Sequence, residues 1–147
     1  MQKIHAVIVI PPQSTVKFKT NVKAYMGEDE VLLIDIRSST GVKKDLMIAN
    51  TLGVIDSDYY ENVDNDGNII IALRNLKPQL KLVGQTVVTD KYGDEVNIPI
   101  INDLTIVNKV CIKKGEKLAQ GIFVKYLPSD NCNTDVVRGG GLGSTGK

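Results

Sequence analysis

Short runs of β-branched and other apolar residues recur along this chain, separated by glycine, asparagine, aspartate and proline. Residues 16–22 alternate apolar and polar side chains with the two-residue period of a half-buried strand. No stretch shows the period of an amphipathic helix. Many short strands without intervening helices predict an all-β protein, either a sandwich, a jelly roll or a barrel. The predicted strands cover residues 7–10, 16–22, 31–36, 46–49, 69–73, 82–89, 96–101, 104–112 and 118–126.

Size and charge limit the classes of protein to which the chain can belong. With 147 residues, 42% of them hydrophobic, it has material for one core. We expect one domain over residues 1–137, followed by a tail at 138–147. The net charge of +1 and the aromatic content of 5% argue against nucleic-acid binding. No apolar run is long enough for a membrane span, so we expect a soluble protein of the cytoplasm, or of the nucleus in a eukaryote.

Chemistry based on histidine or on cysteine pairs is not expected. His5 is the single histidine of the chain, which argues against Ser-His-Asp and Cys-His arrangements. Cys111 and Cys132 do not form a CxxC pair, so they are expected to be reduced thiols rather than zinc ligands.

Residues 80–109 look like an insertion between two units that would otherwise be joined by a short connection. Two β-rich runs flank a turn at Gly93 and Asp94, which predicts a hairpin. Pro99 suits an edge strand. We expect the hairpin to take no part in chemistry; a partner-binding arm is the alternative.

Three interior stretches carry side chains suited to phosphate chemistry. The first begins at Arg37, where a guanidinium and adjacent hydroxyls follow a strand and can donate to phosphate oxygens, although the same residues also make an ordinary turn. In the second, Asp56 follows an apolar turn, and a half-buried carboxylate there can activate a water; a plain surface turn is the alternative. In the third, Gln120 starts a strand and can reach a phosphate or a water.

The last ten residues are an arginine, five glycines, a leucine, a serine, a threonine and a lysine. So many glycines resist regular structure, and we expect the tail to be loose when empty. Its backbone N–H groups, hydroxyls and cations suit a flap that closes over an anion such as a triphosphate. A disordered terminus without function is the alternative.

Taken in order, these four stretches resemble the second to fifth motifs of the trimeric dUTP pyrophosphatases, the dUTPases. The matching residues are Arg37-Ser38-Ser39, residues 53–59 (Gly-Val-Ile-Asp-Ser-Asp-Tyr), residues 115–120 (Gly-Glu-Lys-Leu-Ala-Gln) and residues 138–146. The resemblance implies an all-β jelly roll or distorted β-barrel, and a homotrimer with active sites at the subunit interfaces. It also implies hydrolysis of dUTP to dUMP and pyrophosphate, which keeps uracil out of DNA and supplies dUMP for thymidylate synthesis.

The resemblance implies a role for each site residue as well. Asp56 would activate the water that attacks the α-phosphorus, and Tyr59 would pack under the deoxyribose and exclude a 2′-hydroxyl. Mg²⁺ would be held mainly by the substrate phosphates and water, without a direct protein ligand, and would fix the shape of the triphosphate. The other implied substrate-binding residues are Asn50, Gly53, Gly67, Asn68 and Ile70 around the nucleoside, Arg37, Ser38, Ser39 and Gln120 at the phosphates, and Arg138, Leu142, Gly143, Ser144 and Thr145 in a tail that closes over the phosphates from a neighbouring subunit.

The sequence departs from the family pattern at four places. The first motif, Ala-Gly-Tyr-Asp-Leu or similar, has no counterpart in it. Leu142 replaces the phenylalanine that stacks on uracil, and Lys117 replaces an arginine and loses its bidentate fork. The loop over residues 60–66 is longer than the family's compact turn, so we expect base recognition to be reshaped.

Two other functions fit the sequence less well. The related dCTP deaminases share the fold but need a glutamate on the strand after the third motif, where this chain has Ala72. A catalytically impaired homologue that only binds a nucleotide or a protein partner would not need Asp56, Tyr59 and Gln120 together.

Overall fold

The structure is a computed structural model that describes residues 7–127 of the chain. It contains strands β1 (Val7–Ile10), β2 (Thr15–Lys19), β3 (Glu30–Ile36), β4 (Leu46–Ile48), β5 (Gly53–Asp56), β6 (Ile70–Asn75), β7 (Leu80–Thr89), β8 (Glu95–Asp103), β9 (Val110–Lys113) and β10 (Ala119–Lys125), helix α1 (Ser38–Lys44) and a 3-10 turn (Ser57–Tyr59). The all-β prediction is therefore confirmed. The strands form sheets in the orders β1-β9, β10-β3-β5, β2-β6-β4 and β7-β8, and residues 7–127 form no closed barrel.

Most predicted strands are present, and the differences have local causes. Of the run predicted over 104–112, only β9 is a strand, because a turn follows β8. The carboxylate of Asp103 accepts hydrogen bonds from the N–H and the hydroxyl of Thr105, which bends the chain there. Where the sequence predicts an apolar turn leading to Asp56, residues 53–56 form strand β5, paired with β3.

Helix α1 (Ser38–Lys44) lies where the sequence predicts a turn. The carbonyl of Arg37 accepts from the N–H groups of Thr40 and Gly41, both at 2.8 Å, and Thr40 is buried. The helix ends at Asp45, which has a left-handed backbone (φ 54°), after two lysines that suit the negative end of the helix. In the part of the chain that is described, no helix is long and apolar enough to cross a membrane.

The described residues divide into two compact units. One contains residues 7–15 and 74–116, and the other contains residues 16–73 and 117–127. Every predicted site residue between 7 and 127 lies in the second unit.

A fully buried asparagine, Asn75, is the centre of the first unit's hydrogen bonding. Its amide donates to the carbonyls of Ile10 (3.0 Å) and Asn108 (2.9 Å), and its side-chain oxygen accepts from the N–H of Lys77 (3.0 Å). Buried polar groups are costly unless paired. One side chain therefore ties β1, the end of β6 and the segment before β9 together.

The predicted hairpin is present as β7 and β8, which pair from Leu80 opposite Asp103 to Thr89 opposite Glu95. Apart from Gly84, every residue of the two strands is exposed. Among residues 7–127, strand β8 pairs only with β7, as expected of an edge strand that contains a proline. That the hairpin takes no part in chemistry stays a prediction, with partner binding as its alternative.

Strand β3 is the centre of the sheet β10-β3-β5 in the second unit, and Leu32 and Ile34 are its buried side chains. Glycines on both neighbouring strands leave room for them. A Cβ at Gly53 would lie 3.0 Å from Cβ of Ile34, and a Cβ at Gly121 would lie 2.9 Å from Cδ1 of Leu32. The absence of a side chain at Gly53 is therefore required by the packing of this sheet.

We expect Asn75→Ala to lower the free energy of unfolding by about 2 to 3 kcal/mol, because two carbonyls would lose their donor where water does not replace it. Asn97→Ala, on the exposed hairpin, is the control and should cost no more than about 0.5 kcal/mol. Urea unfolding measures both. Equal losses in the two variants would show that the Asn75 network does not stabilise the unit.

Candidate active site

Four predicted residues lie where β3 ends and where α1 and β10 begin; they are named the arginine cluster: Arg37, Ser38, Ser39 and Gln120. The N–H of Arg37 donates to the carbonyl of Leu118 at 3.1 Å, which brings the start of α1 beside the start of β10. Arg37 is half-buried, whereas the two serines and Gln120 are exposed. One cation, two hydroxyls and an amide form a donor set suited to phosphate oxygens.

A second group, named the tyrosine cluster, lies where β5 ends: Asp56, Tyr59, Gly67 and Asn68. Asp56 is the last residue of β5 and is half-buried, as predicted. Tyr59 ends the 3-10 turn that follows and is only 5% exposed. Its hydroxyl donates to the carbonyl of Asn68 at 3.0 Å. A carboxylate, an aromatic ring and a stretch of backbone are thus positioned by one continuous segment.

Two asparagines organise the loop between Tyr59 and Asn68. The amide of Asn62 donates to the carbonyl of Tyr59 (2.8 Å) and to Oδ1 of Asn65 (2.9 Å). The amide of Asn65 donates to the hydroxyl of Tyr59 (2.8 Å), and its Oδ1 accepts from the N–H of Gly67 (3.1 Å). The loop that was expected to be long is therefore folded back on itself by side-chain hydrogen bonds.

Gly67 has a left-handed backbone (φ +73°) and no space for a side chain. A Cβ there would lie 2.8 Å from the backbone nitrogen of Glu61 and 3.0 Å from the carbonyl oxygen of Tyr59. Backbone atoms cannot move aside without reshaping the loop. Glycine is therefore required at this position by both conformation and space.

The residues that lead into β6 are paired with an earlier segment. The N–H of Ile69 donates to the carbonyl of Val22 at 2.8 Å. The side chain of Asn68 contacts Asn21, accepting from its N–H at 3.3 Å and donating to its Oδ1 at 3.4 Å. These contacts hold the backbone before Ile70, the predicted base-reading segment, against residues 21 and 22.

Asn50 lies in a tight turn between β4 and β5 and is exposed. Its carbonyl accepts from the N–H of Leu52 at 2.8 Å and from the hydroxyl of Thr51 at 2.6 Å. The N–H of Ala49 donates to the carbonyl of Ala72 at 2.8 Å. The turn that carries Asn50 is therefore beside β6, the strand that begins at Ile70.

A lysine outside the predicted site contacts the same loop. Nζ of Lys23 lies 3.0 Å from Asp66, 3.3 Å from Glu61 and 4.8 Å from the ring centroid of Tyr60. The hydrogen bond to Asp66 raises the pKa of Lys23 above its ordinary value. Because the carboxylates are exposed, these ion pairs contribute little to stability.

The strand register places the two clusters toward opposite ends of β3. Asp56 is opposite Val31, and Gln120 is opposite Asp35, four residues further along the strand. That spacing separates their backbones by about 13 Å along the sheet and about 10 Å across it. Both residues are on the same face, because side chains two and four residues apart on a strand share a face. Asp56 and Gln120 of one chain therefore do not contact each other.

The face that carries both residues is apolar between them. Val54 and Ile122 pair with Leu33 on either side of β3, and they are 52% and 51% exposed. Val124, opposite Val31, is 39% exposed. An exposed apolar sheet face of this kind is typical of a surface that packs against another molecule.

Asn62 and Asn65, which organise the loop after Tyr59, are not among the site residues that the sequence predicts. They lie in a segment rich in asparagine and aspartate that ends at Gly67. Such a composition is typical of turns held by side-chain hydrogen bonds, and it is the signal that could have identified them. The predicted tail residues lie outside the described range: Arg138, Leu142, Gly143, Ser144 and Thr145.

The chain is similar to known dUTPases, including the following three. The curated deoxyuridine 5′-triphosphate nucleotidohydrolase of Lactococcus lactis is 36% identical over 129 residues, which cover 86% of this chain and 67% of that protein. The crystal structure of the dUTPase from Streptococcus mutans is 31% identical, with a TM-score of 0.61, and the match covers 86% of this chain and 76% of that one. A mutant dUTPase from phage phi11 of Staphylococcus aureus, whose structure is described as showing the coordination of a structural Mg(II) ion, is 25% identical with a TM-score of 0.55; the match covers 88% of this chain and 78% of that one. No protein-family model matches the chain.

We expect Gly67→Ala to destabilise the protein by about 2 kcal/mol more than Gly93→Ala does. Both glycines have positive φ, but nothing lies within 4 Å of a Cβ at Gly93. Gly93→Ala should therefore cost only the left-handed backbone penalty of about 1 kcal/mol. The free energies of unfolding in urea measure the difference, and equal values would mean that the loop around Gly67 is not close-packed.

Proposed function

The chain belongs to the deoxyuridine 5′-triphosphate nucleotidohydrolase (dUTPase) family, and we propose that it hydrolyses dUTP with Asp56 as the general base. As a dUTP diphosphatase it adds water to the α-phosphorus and releases dUMP and pyrophosphate. Asp56 takes a proton from the water as the new oxygen–phosphorus bond forms, and the bond to the bridging oxygen breaks as pyrophosphate leaves. The observation that carries this assignment is the half-buried carboxylate at the end of β5, three residues before the buried ring of Tyr59.

The nucleoside end of dUTP is proposed to bind at the tyrosine cluster. The ring of Tyr59 packs under the deoxyribose and excludes a 2′-hydroxyl. The burial of Tyr59, which is 5% exposed, supports this role because a packed ring keeps a fixed position. Asn50 and the backbone at Gly67, Asn68 and Ile70 read the edge of uracil. The hydrogen bonds that hold this backbone support the proposal, because hydrogen-bonding groups discriminate well only when they are fixed in place.

The phosphate end is proposed to bind at the arginine cluster of a neighbouring copy, in a homotrimer with interfacial sites. Two observations support this arrangement: Asp56 and Gln120 are toward opposite ends of β3, and the face between them is apolar and exposed. Ser38, Ser39 and Gln120 donate to phosphate oxygens, with Arg37 as the fixed cation. Arg138, Ser144 and Thr145 of a further copy close over the phosphates, next to Leu142 and Gly143.

Mg²⁺ is the metal proposed to accompany dUTP. Among residues 7–127 no group of three or more histidine, cysteine, aspartate or glutamate side chains is placed to hold a metal ion. Mg²⁺ commonly binds through substrate phosphates, water and few protein carboxylates. When bound, the ion neutralises phosphate charge and fixes the triphosphate for in-line attack. We further propose that the protein acts in the cytoplasm on the free nucleotide, without nucleic-acid or membrane partners.

We expect Asp56→Asn to lower kcat for dUTP by about 10² to 10⁴-fold, because an amide cannot accept the proton of the water. Asp64→Asn, which removes the same charge from an exposed site, should leave kcat within a factor of about two. Pyrophosphate release from dUTP and Mg²⁺ measures both rates. A wild-type rate no higher than that of Asp56→Asn would leave a nucleotide-binding homologue as the better description.

We expect two inactive variants, Asp56→Asn and Gln120→Ala, to restore activity when they are co-expressed and purified together. If each site takes Asp56 from one copy and Gln120 from another, about a quarter of the sites in randomly mixed trimers carry both native residues. The two variants purified separately and pooled without subunit exchange are the control. No recovery in co-expressed trimers would place both residues in the site of one chain and contradict the interfacial arrangement.

A further inference from the structure

One hydrogen-bonded group links the ring of Tyr59 to the backbone at Gly67 and Asn68, and its centre is Asn65. The Tyr59 hydroxyl has one proton, which it donates to the carbonyl of Asn68 at 3.0 Å. Its oxygen accepts from Nδ2 of Asn65 at 2.8 Å. Oδ1 of Asn65 accepts from the N–H of Gly67 at 3.1 Å. The amide thus joins the aromatic ring to the start of the segment that leads into β6.

We propose that Asn65 is a positioning residue that sets discrimination between deoxyribose and ribose, by fixing the ring of Tyr59 against the sugar. This inference rests on the proposed function, in which that ring lies under the deoxyribose. Asn65 touches neither the sugar nor the phosphates in this scheme. It acts through the tyrosine hydroxyl.

The hydrogen bonds to Tyr59, together named the tether, hold this residue at both ends, at its backbone carbonyl and at its hydroxyl. Asn62 donates to the carbonyl of Tyr59 at 2.8 Å, and it is itself 7% exposed. Asn65 and the Asn68 carbonyl hold the hydroxyl at the far end of the ring. A 2′-hydroxyl is rejected only if the ring cannot move by a few tenths of an ångström, and close-packed, hydrogen-bonded groups resist such movement. Without the Asn65 bond, the ring has one fewer restraint at the end that faces the loop.

Asn65→Asp separates this role from a general role in holding the loop. The aspartate keeps an oxygen for the N–H of Gly67 and for the amide of Asn62, and its size is nearly unchanged. It cannot donate to Tyr59, so the tyrosine hydroxyl would donate to the new carboxylate and leave the carbonyl of Asn68. Tyr59→Phe removes the hydroxyl, and with it the hydrogen bonds to both Asn65 and the carbonyl of Asn68. Asn97→Asp on the exposed hairpin controls for the added charge.

The experiment compares kcat/KM for dUTP and for UTP in the wild type, Asn65→Asp, Tyr59→Phe, the double variant and Asn97→Asp, with Mg²⁺ present. We expect Asn65→Asp, in which the tyrosine hydroxyl keeps one of its two hydrogen bonds, to lower the dUTP:UTP ratio about tenfold, the effect of one lost hydrogen bond. Tyr59→Phe, which loses both bonds, should lower the ratio at least as far. We expect Asn97→Asp to keep the wild-type ratio. The double variant should have the ratio of Tyr59→Phe alone, because Asn65 acts through the hydroxyl.

Two outcomes overturn the inference. One is an unchanged ratio in Asn65→Asp, even if both rates fall together, since that is the mark of a loop that is merely destabilised. The other is a further drop in the ratio when Asn65→Asp is added to Tyr59→Phe. If Asn65→Asp does not fold, Tyr59→Phe decides alone, and an unchanged ratio refutes the tether. Failure of the proposed function is distinct, because the wild type would then release no pyrophosphate from dUTP.

Discussion

The register of β3 against β5 and β10 is the constraint on which the proposed site depends. Ile34 pins that register, because its two cross-strand partners are both glycines, Gly53 and Gly121. A slip by one residue would place a larger side chain against Ile34 and would turn Asp56 toward the opposite face of the sheet. The same packing contact that buries an isoleucine therefore decides where the proposed general base points. The contact also gives Gly53 a role in packing, whereas the family motif alone would assign this glycine to substrate binding.

The tyrosine cluster is stabilised in a different way, because the loop that carries it has no ladder of backbone hydrogen bonds. Buried backbone groups need partners, and in a loop these come from side chains. Asn62 and Asn65 supply them in pairs, with each amide using both its oxygen and its nitrogen. Gly67 lets the chain close on itself at a point where any side chain would meet backbone. The result is a loop whose backbone is held by its own side chains.

The fold was largely predictable from the sequence, because most strands have a clear period or a dense β-branched run, as residues 31–36 and 119–125 do. Helix α1 was not, since serine, threonine and glycine are weak helix formers and its stability comes from tertiary contacts such as the burial of Thr40. The site residues between 7 and 127 could be chosen by their resemblance to ordered motifs, but their grouping could not. The distance between Asp56 and Gln120 depends on strand pairing, and the link from Asn65 to Tyr59 depends on how a loop closes. Neither leaves a periodic signal in the sequence.

These two features together suggest how assembly and catalysis are coupled in the proposed trimer. In the proposed arrangement, a single copy carries the nucleoside-binding residues and the phosphate-binding residues, but they are too far apart on its own sheet to share one α-phosphorus. The apolar face between them supplies the surface that would bring a second copy into place, so the free energy of association also completes the site. The precision of the site would then come from two sources: the register of β3 decides which face of the sheet carries Asp56, and the asparagine network sets the position of the Tyr59 ring. A substitution in either would change the rate of catalysis, although the substituted residue would not contact the substrate.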